Sequence, residues 1–197
     1  MPLDESQTCP NLRDVGAFVN LIVGQPLLPE QRLYRAGKLD AIFSPEDIHA
    51  PATIINLRRS PDPSSFGAAA YHIPTRDHYE TYATQRPEVR QWLNQVMRVF
   101  ANPQLAYPVL IHCTAGRDRT GVVVAALLRL LEIPDHVIIE EYLLSDGDVQ
   151  GRRIRQALDG IGRLTAYFQR LDIGRVRANI MRSTTCRSMC ATERASR

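Results

Sequence analysis

Along residues 86–101, RPEVRQWLNQVMRVFA, apolar side chains return every three or four positions at Val89, Trp92, Leu93, Val96, Met97 and Phe100. That spacing lines one face of a helix, and Pro87 suits its first turn, where a backbone donor is not needed. Short β-branched runs bounded by turn-forming residues predict strands over Ala52–Leu57, Tyr71–Ile73 and Pro108–His112. The stretch Val122–Leu131 is apolar on nearly every side, with Arg129 its one charge, as in a helix buried against a sheet. It falls far short of the ~20 residues that cross a bilayer. Pro134 and Asp135 end it and open another helix, DHVIIEEYLL. Ile154, Ala157, Leu158, Ile161, Leu164, Phe168 and Leu171 predict one further helix, weakened by Gly160 and Gly162. The last fifteen residues, 183–197, read as a disordered tail, which leaves 1–182 as a single domain. Strands alternating with helices predict an α/β domain built on a mostly parallel sheet. In such sheets ligands sit beyond the carboxyl ends of the strands.

Composition changes this picture little. The chain has 197 residues, 44% hydrophobic and 23% charged, which is ordinary for a globular domain. Its four cysteines, at positions 9, 113, 186 and 190, form no CxxC pair and no His/Cys cluster, so neither a disulfide framework nor a zinc site is expected. A reduced, cytoplasmic protein is the expectation, because MPLDESQTCP has neither the basic start nor the apolar run of a secretory signal. Charge is uneven. From Arg152 onward eleven arginines face three acidic residues, a local +8 against −5 for the remainder. A solvated helix face explains that excess; it is also compatible with peripheral contact to anionic lipid, while no nucleic-acid partner is expected.

The chemistry gathers at one seam. VLIHCTAGRDRTGVVVAALL, residues 109–128, joins a strand to a helix expected to start near Thr120, through a loop crowded with Gly, Thr, Arg and Asp. Backbone N–H groups from Thr114, Ala115, Gly116, Arg117, Asp118 and Arg119 can curl around an anion, and the helix adds the positive end of its dipole. Gly116 permits the curl and Gly121 a close helix approach. The planar fork of Arg119 can grip two oxygens of a tetrahedral dianion. Cys113 would lie on the floor of that pocket, where such donors favour the thiolate over the thiol. Thr120 can donate a hydrogen bond to the sulfur, and His112 is expected to brace the loop backbone. Each residue alone is commonplace; the spacing His-Cys-x-x-Gly-x-x-Arg-Thr-Gly carries the signal. Gly116 and Gly121 also match the spacing of a nucleotide phosphate loop, but Val122-Val123 stand where Lys-Ser or Lys-Thr would follow.

HCTAGRDRTG resembles the signature loop of the cysteine-dependent protein tyrosine and dual-specificity phosphatases. Four more segments resemble the bacterial-type tyrosine/lipid branch of that superfamily: NLRDVGAF (11–18), LYRAGKL (33–39), TIINLR (53–58) and LLRLLEIPDHVIIEEYLLSD (127–146). The resemblance implies a tyrosine-phosphatase-like α/β fold, a central mostly parallel sheet flanked by helices, and a phosphatase domain that needs no metal and no cofactor. It implies Cys113 as nucleophile, Arg119 as phosphate ligand and a carboxylic acid that protonates the leaving group. Asp77, in IPTRDHYETY, is the first candidate for that acid, with Asp118 the alternative and Asp62 a third. Arg117 stands where the family usually has Lys, which keeps the charge but replaces a flexible ammonium with a planar head. Asn11, Arg13, Asp14 and Arg35 are expected to hold the N-terminal segment beside the site, with a direct substrate contact the alternative. His78, Tyr79 and Tyr82 can flank a substrate ring or serve as a lid, although packing is the commoner use of such side chains. Phosphorylated proteins, phosphotyrosine first, are the implied substrates, with phosphoinositides a further class. Two rivals remain: a non-catalytic phosphate-binding module, which would normally lack the cysteine or the arginine, and a thiol enzyme acting on sulfur or an oxyanion.

Overall fold

Every residue of Val109–His112 is buried, which makes this strand the natural centre of a sheet. The structure, a computed structural model, describes residues 9–75 and 79–182. Five strands, β1 (Arg13–Asp14), β2 (Leu33–Ala36), β3 (Thr53–Asn56), β4 (Ala69–His72) and β5 (Val109–His112), form one sheet in the order β1-β2-β5-β3-β4. Only the β1–β2 pair is antiparallel. Side chains alternate across the sheet. Ile55, Val109, Ile111 and Cys113 enter the larger core, whereas Tyr34, Ala36, Ile54 and Leu110 enter a smaller one on the opposite face with Leu39, Ile42 and Ile48.

Helices α1 (Val15–Val23), α2 (Pro87–Phe100), α3 (Asp118–Leu130), α4 (Asp135–Leu143), α5 (Gly151–Ile161), α6 (Leu164–Tyr167) and α7 (Ile173–Met181) all send side chains into the larger core. The smaller core is closed by the segment after β2, which includes a 3-10 turn at Pro45–Ile48. Three expected strands and the helices α2 and α4 lie where the sequence pattern puts them, within a residue or two. α3 starts at Asp118, two residues earlier than expected, so the helix reaches into the signature loop itself. The single helix expected across 154–171 is instead two, α5 and α6. Gly162, with φ +53°, leaves the helical region and ends α5. Gly160 stays helical, and its lack of a side chain lets α5 approach the Thr84 hydroxyl, with which a Cβ would collide. α1, β1, β2 and α7 add to the expected elements.

Among the described residues no helix is long and apolar enough to cross a membrane, and no group of His, Cys, Asp and Glu could hold a metal ion. The expected tail, 183–197, lies outside the described residues.

Candidate active site

Cys113 follows β5 directly, only 2% exposed and with a free thiol. The next three carbonyls are all held from outside the loop. Thr114 O accepts from Lys38 N at 3.0 Å, Ala115 O from Asn11 Nδ2 at 2.8 Å, and Gly116 O from Arg35 Nη2 at 2.9 Å. In a trans peptide the C=O and the following N–H point in opposite directions. With the carbonyls pulled outward, the N–H groups of Ala115, Gly116 and Arg117 are turned to the loop's other side. The first-turn N–H groups of Asp118, Arg119 and Thr120 have no acceptor within α3 and lie at the positive end of its dipole. Together they form a nest suited to an anion. Gly116 is required twice over: its φ is +67°, and a Cβ there would lie 2.5 Å from the carbonyl carbon of Ala36.

The donors behind the loop are themselves fixed. Arg13 and Arg35 are cross-strand partners in β1 and β2, 2% and 0% exposed. Glu141 of α4 lies between them, with Arg13 Nε 3.0 Å from Oε1 and Arg35 Nη1 2.7 Å from Oε2. Arg13 Nη2 also reaches Glu141 O at 2.9 Å and Ser145 Oγ at 3.0 Å. Burial alone would raise the Glu141 carboxyl, but the charges and hydrogen bonds of Arg13 and Arg35 outweigh it and hold the group below the usual carboxylate range. Asn11, at φ +59°, accepts from Asp146 N at 2.7 Å while its amide serves Ala115. Asp14 caps α1 by accepting from Gly16 N at 2.8 Å. The N-terminal segment is thus pinned beside the loop, as the sequence leads one to expect.

Arg119 curls back from α3 and is 6% exposed, with Nη1 2.9 Å from Leu57 O and Nη2 3.0 Å from Thr114 Oγ1. Thr120 is fully buried, and its hydroxyl has no hydrogen-bond partner among the described residues. The expected bond to the sulfur is not formed here. The His112 ring does not brace the loop backbone; its Nε2 lies 2.8 Å from Asp62 Oδ2. Asp62 is accordingly engaged on that ring.

Asp118 accepts from Tyr82 Oη at 2.8 Å through one oxygen and from Arg117 Nε at 3.2 Å through the other. Tyr82 Oη is also 2.7 Å from Tyr142 Oη. Burial first, then the Tyr142 contact and the nearby Asp118 charge, push the Tyr82 phenol far above its ordinary range, so it is a donor at any ordinary pH. Tyr82 is only 1% exposed, which makes it a support for Asp118 and not a flank for a substrate ring. The Arg117 head packs against Gly147, where a Cβ would collide with its Nη1. Gly121 lets Tyr142 pack on α3, since a Cβ would stand 2.8 Å from that ring. Asp77 and His78, and the side chain of Tyr79, lie outside the described residues.

The structure thus gathers His112, Cys113, the loop from Thr114 to Arg119, and Thr120. Sequence reasoning passed over Glu141, Lys38, Tyr142 and the Asp62–His112 contact. One of these carried a signal. Val137, Ile138, Glu141 and Tyr142 share the buried face of α4, so a carboxylate among apolar positions called for buried cations.

A family profile described as "Tyrosine phosphatase family" matches residues 5–189. The triple specificity protein phosphatase PtpB of Mycobacterium tuberculosis is 38% identical over 79 residues, 40% of this chain and 27% of PtpB. A tyrosine-protein phosphatase of Nostoc commune is 38% identical over 68 residues, 32% of this chain and 23% of that protein. The aligned part therefore spans about a quarter of the length of these curated relatives. Among solved structures, the core catalytic domain of the PP-IP phosphatase SIW14 from S. cerevisiae, in complex with citrate, superposes with a TM-score of 0.52 at 20% identity. That match covers 68% of this chain and 86% of the SIW14 domain, and it is a likeness of fold.

Proposed function

The chain belongs to the tyrosine phosphatase family, and from that premise we propose that it hydrolyses phosphomonoesters through a cysteinyl-phosphate, without metal or cofactor. The observation that carries the reading is the set of three outward-held carbonyls, Thr114, Ala115 and Gly116, which turns the N–H groups of the same peptides to the opposite side of the loop that follows Cys113. In the first step the Cys113 thiolate attacks phosphorus, an S–P bond forms and the P–O bond to the leaving group breaks. The loop N–H groups and Arg119 stabilise the equatorial oxygens of the transferring phosphoryl group. Asp77 gives its proton to the departing oxygen. In the second step the same carboxylate takes a proton from water as the water oxygen attacks phosphorus. Inorganic phosphate leaves and the thiolate is restored.

Asp77 holds the acid's role on the resemblance alone. Asp118 is the second reading, favoured by its place in the first turn of α3 beside the loop, with Tyr82 and Arg117 fixing its carboxylate. Phosphotyrosine in proteins is the proposed substrate class, with phosphoserine, phosphothreonine and phosphoinositides as additions; the name of one relative, a tyrosine-protein phosphatase, supports the first, and that of another, a triple specificity protein phosphatase, supports more than one class.

The test is hydrolysis of p-nitrophenyl phosphate, phosphopeptides and phosphoinositides in the presence of EDTA. Turnover unaffected by EDTA, abolished in Cys113→Ser, with a phosphorylated Cys113 trapped and seen by mass spectrometry, is the expected result. Undiminished turnover in Cys113→Ser would reject the nucleophile and with it the mechanism.

A further inference from the structure

We propose that Asp62 is a positioning residue for the nucleophile: it holds the His112 ring from the opposite face of the sheet and thereby fixes the peptide that presents Cys113. This rests on the phosphatase reading above. Side chains alternate along β5, so the His112 ring and the Cys113 sulfur leave the sheet on opposite faces. The His112 side chain is completely buried and that of Asp62 is 10% exposed, with Nε2 2.8 Å from Oδ2. His112 Nδ1 has no hydrogen-bond partner among the described residues, so the carboxylate alone orients the ring through hydrogen bonds. Donation of the Nε2 proton to Asp62 would set the tautomer.

Asp62 is well built for this task. Asn56 accepts from Arg58 N at 2.7 Å and donates to Ser60 O at 3.0 Å, folding the turn that follows β3. Pro61 and Pro63 on either side restrict the backbone at Asp62, so little freedom remains to be lost when the carboxylate meets the ring. The same turn starts at Leu57, whose N–H donates to His112 O at 2.9 Å and whose carbonyl accepts from Arg119 Nη1 at 2.9 Å. One turn therefore touches the strand end that carries the nucleophile and the guanidinium that grips phosphate. Three other charged groups face this pair. Arg58 Nη1 lies 3.8 Å from Asp62 Oδ1 and 2.6 Å from Asp40 Oδ1, and Lys38 Nζ lies 3.8 Å from Asp40 Oδ2.

Asp62 Oδ2 is engaged on the His112 ring, so its loss should act on the geometry of the chemical step more than on substrate binding. For Asp62→Asn, which keeps the volume, kcat should fall about ten- to a hundredfold with KM within about twofold; Asp62→Glu should recover part of that loss. Long-range 1H–15N spectra of 15N-labelled protein, with the His112 signals identified by their absence in His112→Gln, give a second readout. The expected result is a proton on Nε2 in the parent protein and a changed tautomer balance in Asp62→Asn. An unprotonated Nε2 in the parent protein, or an unchanged kcat in Asp62→Asn, overturns the proposal. So does a variant that merely loses thermal stability while its His112 spectrum and its kcat per folded molecule stay the same. The ring spectrum needs no turnover, so absence of phosphatase activity in the parent protein would defeat the proposed function while the Asp62–His112 contact is still judged on its own.

Discussion

Arg13 and Arg35 stand directly opposite each other across the β1–β2 pair, both buried, and share the single carboxylate of Glu141. Like charges in that register repel, so the pairing is tolerable only because α4 delivers an anion between them. Removing it leaves two guanidiniums without their counter-charge. Glu141→Gln should cost about 3–5 kcal/mol, a large share of a typical domain's stability, as read by urea unfolding at pH 7.

The same carboxylate makes stability depend on acid. Its folded value lies below the ordinary carboxylate range, so the native state binds its proton less readily than the unfolded chain does. The stabilisation is complete above the ordinary range of about 4.3 and is lost as pH falls below it through the folded value. Unfolding curves between pH 7 and pH 3 should show a steeper acid decline for the parent protein than for Glu141→Gln.

Gly116→Ala tests the cradle. A left-handed φ at a residue with a side chain costs about 1 kcal/mol or more, and the overlap with Ala36 adds to it. If the protein folds at all, the loop must shift. Inhibition by vanadate should weaken by about tenfold or more, while far-UV circular dichroism stays close to that of the parent.

Tyr82→Phe separates the two candidate acids. It removes a donor from Asp118 and should cost about 1 kcal/mol in stability. With Asp77 as the acid, kcat should stay within about twofold and only Asp77→Asn should erase the basic limb of the pH–rate profile. If Asp118→Asn erases that limb and Tyr82→Phe shifts it, the role passes to Asp118.

Asn11→Ala strips one clamp from the loop. Ala115 O and Asp146 N both lose their partner, a loss of about 1–3 kcal/mol. Thermal unfolding should report that loss, and kcat/KM should fall further than stability alone explains.

How much of this was written locally depends on the element. α2 is legible because its apolar positions follow the helical period on a half-exposed surface, and β5 because it is a short apolar run between Pro108 and the loop. β2 is not: LYRA puts an arginine in a fully buried strand, which makes sense only once Glu141, more than a hundred residues away, is in place. α1 is hidden for another reason, since VGAFVNLIV is apolar at most positions and shows no clear period. Within the site, the loop from Cys113 to Arg119 announces itself by spacing. Lys38 N–H and the Asp62 contact with His112 do not, because a backbone donor leaves no mark in sequence and Asp62, between two prolines, reads as a third candidate acid and not as the partner of a histidine fifty residues away.

The three clamps on the loop come from residues 11, 35 and 38, none of which belongs to the signature decapeptide. Transplanted into a foreign scaffold, HCTAGRDRTG would therefore arrive as a slack ribbon with poor oxyanion affinity. An engineer wishing to move this loop must carry the segments that hold Asn11, Arg35 and Lys38 along with it.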